Sequence, residues 1–386
     1  MPAALPPTAQ AFLEHVGERS ALVVTTNGRV TSVDVTSGSG LAAGGAAGHP
    51  DSEALVGSVA SDFASVPPGY ETPSADSLDH LANAYVPDAC VLSVARGAVL
   101  RAPVVVVHHF AGSSVSWGSD DGGSELAGPA HFTRTVVHLG EDSEATVVEL
   151  LVSGSGPMLV MPIVELRASE GARLTHASVQ QLGPDSWQIG HLYASAARDA
   201  TFRSFEASLG GAYARSRLDS ALTGQGGSAQ LLAAYLGDGD QMHDFRTLQE
   251  HAAPRTTSDL VFKGAVGGRS RSVYSGLIRM RRGAKGANAF QTNRNLVLSD
   301  GAHADSVPNL DIEENDVRCS HASAVGPIDA EQRFYLESRG VPTEAAERLI
   351  LLGFFGELLE RVPGPVARHV AAEISERVGQ MTEAGR

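Results

Sequence analysis

The chain has 386 residues, more than a single hydrophobic core usually serves, and its 29 basic and 44 acidic residues give a net charge of −15. This negative balance excludes a nucleic-acid-binding surface, because the one basic cluster, Arg279 to Lys285, is too short to follow a phosphate backbone. Glycine is abundant at 42 residues and aromatic residues make up only 5% of the chain, a composition typical of many strands joined by turns.

Cysteine content and the N-terminal sequence indicate the cellular location. Cys90 and Cys319 are the two cysteines, too few for a disulfide framework, and MPAALPPTAQAFLEH lacks the basic flank and apolar core of a signal peptide. No apolar run approaches the roughly 18 to 20 residues of a membrane span. We therefore expect a soluble, cytoplasmic protein with no membrane partner, in which Cys90 packs in a core.

The sequence of residues 1–93 predicts an N-terminal region that is partly helical. Apolar residues recur at helical spacing from Ala9 to Val16 and again from Ser52 to Phe63. Between them, the glycine, alanine and serine residues of Thr36 to Pro50 offer too little apolar surface to offset the entropy of ordering. We expect a flexible loop there.

Residues 94–322 change to short β-branched runs, each closed by a turn. Small residues that follow successive turns recur at intervals of 27, 28 and 29 residues, at Ala145, Ala172, Ala200 and Ala229. A period of this length is typical of units that stack on their neighbours, and the runs lack the helical crossovers of a doubly wound sheet. The spacing predicts a β-solenoid core, with an antiparallel sandwich as the alternative.

Residues 323–386 predict a C-terminal helical domain. Asp329 is placed to cap a helix that runs to Ser338, and Pro342 to Val362 forms a second helix. A third helix has one apolar stripe, formed by Val366, Val370, Ile374 and Val378.

The second of these helices is apolar around most of its circumference, more than a small helical unit covers by itself. We therefore expect part of it to bind a partner. The candidate partner-binding residues are Leu351, Phe354, Phe355 and Leu358.

A cysteine stands two residues before a histidine in the segment DVRCSHASAVG. Side chains two apart on an extended chain point to the same side, so Cys319 and His321 would face one point. A thiolate and an imidazole suit zinc, iron or an iron–sulfur unit, but two ligands do not close a tetrahedral site. Either further ligands come from elsewhere in the chain or from another subunit, or Cys319 is a small buried side chain and His321 a hydrogen-bonded one.

The motifs of common active sites are absent from the sequence. It contains no G-x-S-x-G, no H-E-x-x-H and no P-loop with its lysine. The residues by themselves indicate no catalytic centre, and we expect no enzymatic activity.

Ordered motifs from about Val273 to Phe355 carry a resemblance to a known family. SVYSGLIRM, QTNRNL, P-x-L-x-I, C-x-H, E-Q-R-F-Y-L and SRG follow one another in the order seen in the SufB/SufD family of iron–sulfur cluster assembly proteins. Weaker agreement extends back to about Val94, and the chain departs from the family before that residue. The form CSHASAVG resembles SufD more than SufB, and a SufB-like paralogue is the alternative.

The resemblance implies a right-handed parallel β-helix followed by a helical domain, in a complex with a SufB-like β-helix paralogue and a SufC-like ABC ATPase. It implies a scaffold for cluster formation and iron acquisition that binds no cofactor stably, with iron or a nascent cluster held transiently at a shared interface. The family's C-x-H motif falls on Cys319 and His321. The resemblance therefore implies that His321 is the first candidate metal ligand and Cys319 the second.

Two other functions compete with the scaffold. A β-helical carbohydrate-active enzyme would need paired carboxylates and aromatic sugar-binding surfaces, which the low aromatic content disfavours. An independent zinc protein would need more ligands than Cys319 and His321 provide.

Overall fold

The structure is a computed structural model that describes residues 5–36, 40–46, 77–112 and 128–384. The predicted helix from Ser52 to Phe63 lies outside the described residues. Strands account for 52% of the structure, with helices near the termini. None of the helices in the described ranges has the length and apolarity needed to cross a bilayer.

The elements before residue 95 alternate between helix and strand. They are α1 (Pro7–Val16), β1 (Ala21–Thr26), β2 (Arg29–Val35), β3 (Leu41–Gly45), α2 (Ser77–Tyr85) and β4 (Ala89–Val94).

A long series of strands follows, and three helices close the chain. The strands are β5 (Val104–Phe110), β6 (Ala130–Leu139), β7 (Glu144–Ser153), β8 (Met158–Ala168), β9 (Arg173–Gln181), β10 (Ser186–Ala196), β11 (Thr201–Ser208), β12 (Tyr213–Leu222), β13 (Ser228–Gly237), β14 (Met242–His251), β15 (Thr257–Val266), β16 (Arg271–Met280), β17 (Asn288–Val297), β18 (His303–Ile312) and β19 (Arg318–Gly326). The helices are α3 (Ala330–Ser338), α4 (Thr343–Leu359) and α5 (Gly364–Ala384).

Successive strands alternate between two sheets. Sheet A has the order β19-β17-β15-β13-β11-β9-β7-β5-β1-β2, and sheet B has the order β18-β16-β14-β12-β10-β8-β6-β4-β3. From β4 onward, neighbouring strands within each sheet pair in parallel. Two strands therefore make one turn, and about seven turns stack into a β-solenoid. The predicted solenoid is confirmed, and the parallel pairing excludes the antiparallel sandwich.

The strand register confirms the length of the repeat, but it aligns a different set of residues from the one that the sequence suggests. Ala145, Leu174, Phe202 and Ala229 share one register position on four stacked strands, at intervals of 29, 28 and 27 residues. Ala172 and Ala200 instead lie in the turns just before their strands. Small residues at the turns thus indicate the length of the repeat, whereas the shared interior position holds small side chains on two of these strands and large ones on the other two.

The N-terminal region closes one end of the solenoid with antiparallel strands. β1 pairs with β5 in parallel and with β2 antiparallel, through a two-residue turn in which Asn27 and Gly28 have φ of 51° and 82°. β3 pairs antiparallel with β4. The flexible loop predicted for Thr36 to Pro50 is therefore wrong for Leu41–Gly45, because backbone pairing with β4 orders this segment and the side chains of Leu41 and Ala43 pack against the core.

Aromatic side chains fill part of the solenoid interior on β13 to β16. Tyr235, Phe245, Phe262 and Tyr274 form a continuous stack whose successive ring centroids lie 4.8, 5.4 and 5.5 Å apart. All four side chains are buried. These four rings thus form an aromatic layer that fills the interior over two successive turns, from β13 to β16.

The C-terminal helices pack on the outer face of sheet A. α4 contacts β13 and β15, α5 contacts α4 and α1, and the predicted stripe of Val366, Val370, Ile374 and Val378 is fully buried. The predicted cap is confirmed, since the Asp329 carboxylate accepts hydrogen bonds from the backbone N–H groups of Glu331 and Gln332. The solenoid therefore has one face covered by helices from both ends of the chain.

We predict that Phe262→Ala lowers the free energy of unfolding by about 3 to 5 kcal/mol, because it leaves a cavity in the aromatic layer. Phe290→Ala is the control, since Phe290 is 45% exposed on the outer face of β17 and should cost less than about 1 kcal/mol. Urea titration of both variants measures the difference. Equal losses would show that the aromatic layer contributes no special packing.

His369 on α5 lies in the contact between α1, α5 and sheet A. Its Nε2 donates to the Gln181 side-chain oxygen over 3.0 Å, and its ring meets the edges of Phe12 and His15. Burial, with the nearby His15 as a lesser cause, lowers the pKa of His369 from 6.5 to about 4. The folded chain therefore favours the neutral imidazole.

We predict that the chain loses stability as the pH falls from about 6.5 to 4. Since the pKa of His369 in the folded chain lies below its unfolded value, its contribution is complete above pH 6.5 and is lost as protons are taken up on unfolding. The free energy of unfolding of the wild type should fall more steeply over this range than that of His369→Gln. Parallel pH profiles would exclude His369 as the responsible group.

Candidate functional site

The C-terminal end of the solenoid is formed by two edge strands. β19 is the last strand of sheet A and β18 the last of sheet B, and in the described parts of the chain no strand pairs with their outer edges. Several large apolar side chains on these two strands are exposed, namely Val307, Leu310, Ile312 and Val325. The end that closes the repeat series therefore presents both unpaired backbone groups and apolar surface.

Cys319 and His321 lie on β19 at this open end. In the parallel register Cys319 pairs with Ala289 and His321 with Gln291, and both of these β17 residues are buried inside the solenoid. Cys319 and His321 therefore occupy interior-facing positions of the final turn, on the same side of the strand as the sequence predicts. His321 is exposed because no further turn covers it.

Cys319 lies in a partly apolar environment at this end of the solenoid. Its side chain is half-buried against an apolar cluster that includes Ile278, Met280 and Ala289. This burial raises the pKa of the Cys319 thiol, which disfavours the thiolate that binds metals. The structure thus supports a packing role for Cys319 and leaves the imidazole of His321 as the more accessible donor.

The open end provides too few ligands for a complete metal site. Among the residues that the structure describes, no group of three or more His, Cys, Asp or Glu side chains could hold a metal ion. Cys319 and His321 could supply two of the four ligands of a tetrahedral iron or iron–sulfur site. Any such site at this end would need its other ligands from a second chain.

A buried ionic cluster, which the sequence did not predict, lies inside the N-terminal part of the solenoid, on β5, β7 and β9. His108 and His176 each contact the Glu149 carboxylate through Nε2, over 3.1 and 2.8 Å. Burial alone would raise the pKa of Glu149, but hydrogen bonds from the two imidazoles outweigh it and hold the pKa below its usual range. His108 also contacts the Thr25 hydroxyl on β1 through its Nδ1, over 2.8 Å.

A second ionic cluster fastens α2 to the outer face of sheet B. His191 contacts Asp79 of α2 over 2.8 Å and Asp219 of β12 over 3.1 Å, and the Tyr193 hydroxyl donates to Asp79 over 2.9 Å. Burial lowers the pKa of His191, but the two carboxylates outweigh it and raise the pKa above the usual value. Asp79 and His191 are 112 residues apart, so no local motif indicates their contact. Both clusters are distant in sequence from Cys319 and His321.

The predicted partner-binding residues of α4 are mostly buried within the chain. Leu351, Phe355 and Leu358 are each less than 5% exposed and pack with apolar residues on the outer face of sheet A and on α5. The expectation that the chain could not cover them is therefore wrong, because β13 and its neighbours are apolar on both faces. Phe354 is half-buried, and its ring lies 4.9 Å from Nζ of the buried Lys263.

A different part of α4 remains uncovered. A groove of about 840 Å³ lies between α3, α4 and the last strands, and its lining includes Leu296, Leu349 and Phe354 with the acidic residues Asp329 and Glu331. Leu349 is 52% exposed, and Phe334 and Tyr335 on α3 are more exposed still. The accessible apolar surface of the helical domain thus lies on the α3 side of α4.

The fold and the open end define a β-solenoid scaffold that presents a cysteine–histidine pair on its terminal strand. A family model described as SUF system FeS cluster assembly, SufBD core domain, matches residues 122–354, more than half of the chain. The chain belongs to the SufBD family.

Relatives in other organisms agree with this assignment. An iron–sulfur cluster assembly SufBD family protein of Mycobacterium bovis is 36% identical over 264 residues, which is 66% of each chain. The iron–sulfur cluster assembly protein SufD of Escherichia coli is 30% identical over 301 residues, 78% of this chain and 69% of the relative. SufD of Bacillus subtilis is 28% identical over 251 residues, 64% of this chain and 57% of the relative.

Proposed function

We propose that this chain is a SufD-like scaffold subunit of an iron–sulfur cluster assembly complex. In this role it pairs through its open end with a SufB-like solenoid, binds a SufC-like ABC ATPase through the helical domain, and supports cluster formation and iron acquisition. It performs no catalysis itself, since the ATPase supplies the energy. The observation that carries the proposal is the position of His321, exposed on a terminal strand beside unpaired backbone and apolar side chains.

The two ends of the solenoid favour association at one of them. Edge strands with unpaired N–H and C=O groups pair readily with another chain unless a cap covers them. The antiparallel strands β2 and β3 form such a cap at the N-terminal end, whereas β18 and β19 end the series in the same parallel direction as the strands before them. A second solenoid docked on β18 and β19 would bury the exposed apolar side chains and continue the stack.

The ligand count supports a site shared between two chains. His321 offers a nitrogen donor, and Cys319 offers a sulfur that becomes a better ligand when a bound cation stabilises its thiolate. Iron or a nascent cluster is the cargo of this site. An interface that completes the ligand set with a partner's residues would hold the cargo in the assembled complex only, in keeping with transient binding.

The choice of SufD over SufB rests on the form of the motif and on the relatives. The segment CSHASAVG, Cys319 to Gly326, resembles the SufD form, and two of the relatives described above carry the name SufD. The solenoid is explained by membership of the SufBD family, so a carbohydrate-active enzyme is no longer needed to explain it.

The groove between α3 and α4 is the proposed contact for the ATPase. It combines exposed apolar side chains at its centre with the carboxylates of Asp329 and Glu331 at its margin, and so fits a partner with an apolar anchor and basic flanks. Lys263 holds the neighbouring part of α4 on sheet A by donating to the Phe354 carbonyl over 2.8 Å and to the Glu357 carboxylate over 2.5 Å. The proposed contact thus lies on a helix that is fixed to the solenoid.

We predict that His321→Ala lowers the yield of iron–sulfur cluster by about 10-fold or more in a system reconstituted with a SufB-like partner and the ATPase, because it removes the accessible ligand. The isolated variant should unfold like the wild type, since His321 is exposed. Bound iron and acid-labile sulfide provide the measurement.

Ser323→Ala is the control for this variant, because Ser323 occupies the next position on the same side of β19 and is also exposed. It should leave the yield unchanged. A normal cluster yield from His321→Ala, in a complex of normal composition, would reject the ligand role of His321.

We predict that Leu349→Arg weakens binding of the ATPase by about 10-fold or more, because a charge replaces an apolar contact at the centre of the groove. Calorimetry with the isolated ATPase measures the affinity. Val33→Arg is the control, since Val33 is also exposed but lies on β2 at the opposite end of the solenoid. If both variants bind like the wild type, the ATPase contacts another surface.

A further inference from the structure

Gln291 is a buried amide next to the open end. It lies on β17 directly below His321 in the register, and it is only 2% exposed. Neither its side-chain oxygen nor its side-chain nitrogen has a hydrogen-bond partner among the residues that the structure describes. A buried amide without partners costs stability, so packing alone does not explain its presence.

The neighbouring turns show what packing alone would select. Leu231 on β13 and Leu260 on β15 hold the two register positions that precede Gln291 in the same column. Gly276 on β16 lies against the amide, where an added Cβ would collide with the Gln291 nitrogen and the Tyr274 hydroxyl. The column thus changes from leucine to glutamine one turn before His321, and a glycine provides the room.

Two other interior amides on β17, Asn293 and Asn295, are satisfied, in contrast to Gln291. The Tyr235 hydroxyl donates to the Asn295 side-chain oxygen over 2.5 Å, and Asn295 donates to the Asn293 oxygen over 2.8 Å. Asn293 in turn donates to the Tyr235 hydroxyl over 3.2 Å. These three side chains form a closed network inside the solenoid. Gln291, which is nearer to Cys319 and His321, stands outside that network.

We infer that Gln291 is a positioning residue for the imidazole of His321, an inference that rests on the proposed ligand role of His321. Adjacent parallel strands lie about 4.8 Å apart, so side chains at paired positions stack within reach of one another. A histidine that binds a metal through one ring nitrogen usually donates the other N–H to an oxygen, which fixes the tautomer and the ring orientation. The Gln291 amide oxygen is the buried acceptor nearest in register to His321.

The role explains why the amide has no partner in the isolated chain. His321 on the uncovered edge strand is free to turn toward solvent, and a docked partner would restrict it to the interior side. The hydrogen bond would then form when iron or a cluster fixes the ring. Gln291 does not itself contact the cargo.

The test compares Gln291→Leu, His321→Ala and Ser323→Ala, each as the isolated chain and as the complex with a SufB-like partner and the ATPase. The leucine continues the column of Leu231 and Leu260 and removes only the amide. The isolated chain gives the thermal unfolding midpoint, and the complex gives the affinity for Fe²⁺ by equilibrium dialysis and the cluster yield. Ser323→Ala should match the wild type in every measurement.

We expect Gln291→Leu to raise the Tm of the isolated chain by about 2 °C and to weaken Fe²⁺ binding by the complex by about 10-fold. A lower Tm would overturn the inference, since it would assign the amide a structural role. Unchanged Fe²⁺ affinity and cluster yield would overturn it as well, provided that His321→Ala is impaired. A normal result from His321→Ala as well would reject the ligand role of His321 itself. A failure of the proposed function can thus be told apart from a failure of this inference.

Discussion

The strands of each turn make their backbone hydrogen bonds with the turns on either side, and the rest of the structure follows from this constraint. A terminal turn has one neighbour, so it needs a cap or a partner. The N-terminal end meets this need within the chain, where β2 and β3 reverse direction and close the stack. The C-terminal end does not, and the side chains that would be interior in any other turn, Cys319 and His321, remain partly or fully exposed there.

Much of the fold could be predicted from the sequence because its signals are local. The repeat length, the Asp329 cap and the valine stripe of α5 each depend on residues within one element or one turn, and the structure confirms them. Leu41–Gly45 was missed because its order comes from backbone pairing and its side chains carry no strand pattern. The burial of Leu351 and Phe355 was missed because their cover comes from β13, more than 100 residues away, although the apolar run of β13 on both faces was a visible signal.

The candidate site divides in the same way. Cys319 and His321 lie on the same side because side chains alternate between the two faces of a strand. Their spacing in the sequence is therefore enough to predict this placement. Gln291 was not recognised because its importance depends on the register between β17 and β19, which the sequence shows only once the length of the intervening turn is known. The same limit hid the contacts of Glu149, since its two imidazoles come from a different strand on each side.

The polar groups inside the solenoid differ in whether they have hydrogen-bond partners within the chain. Glu149, Asn293 and Asn295 have their hydrogen bonds within the chain, so they contribute to the packing of the isolated subunit and need nothing more. Gln291 has none in the described structure, and it lies one turn from an end that lacks a neighbour. The aromatic layer, which includes Phe262 and Tyr274, lies between the open end and the ionic cluster of Glu149, so these two polar regions are separated along the solenoid. In the proposed assembly, a second chain would therefore complete the C-terminal end of the solenoid.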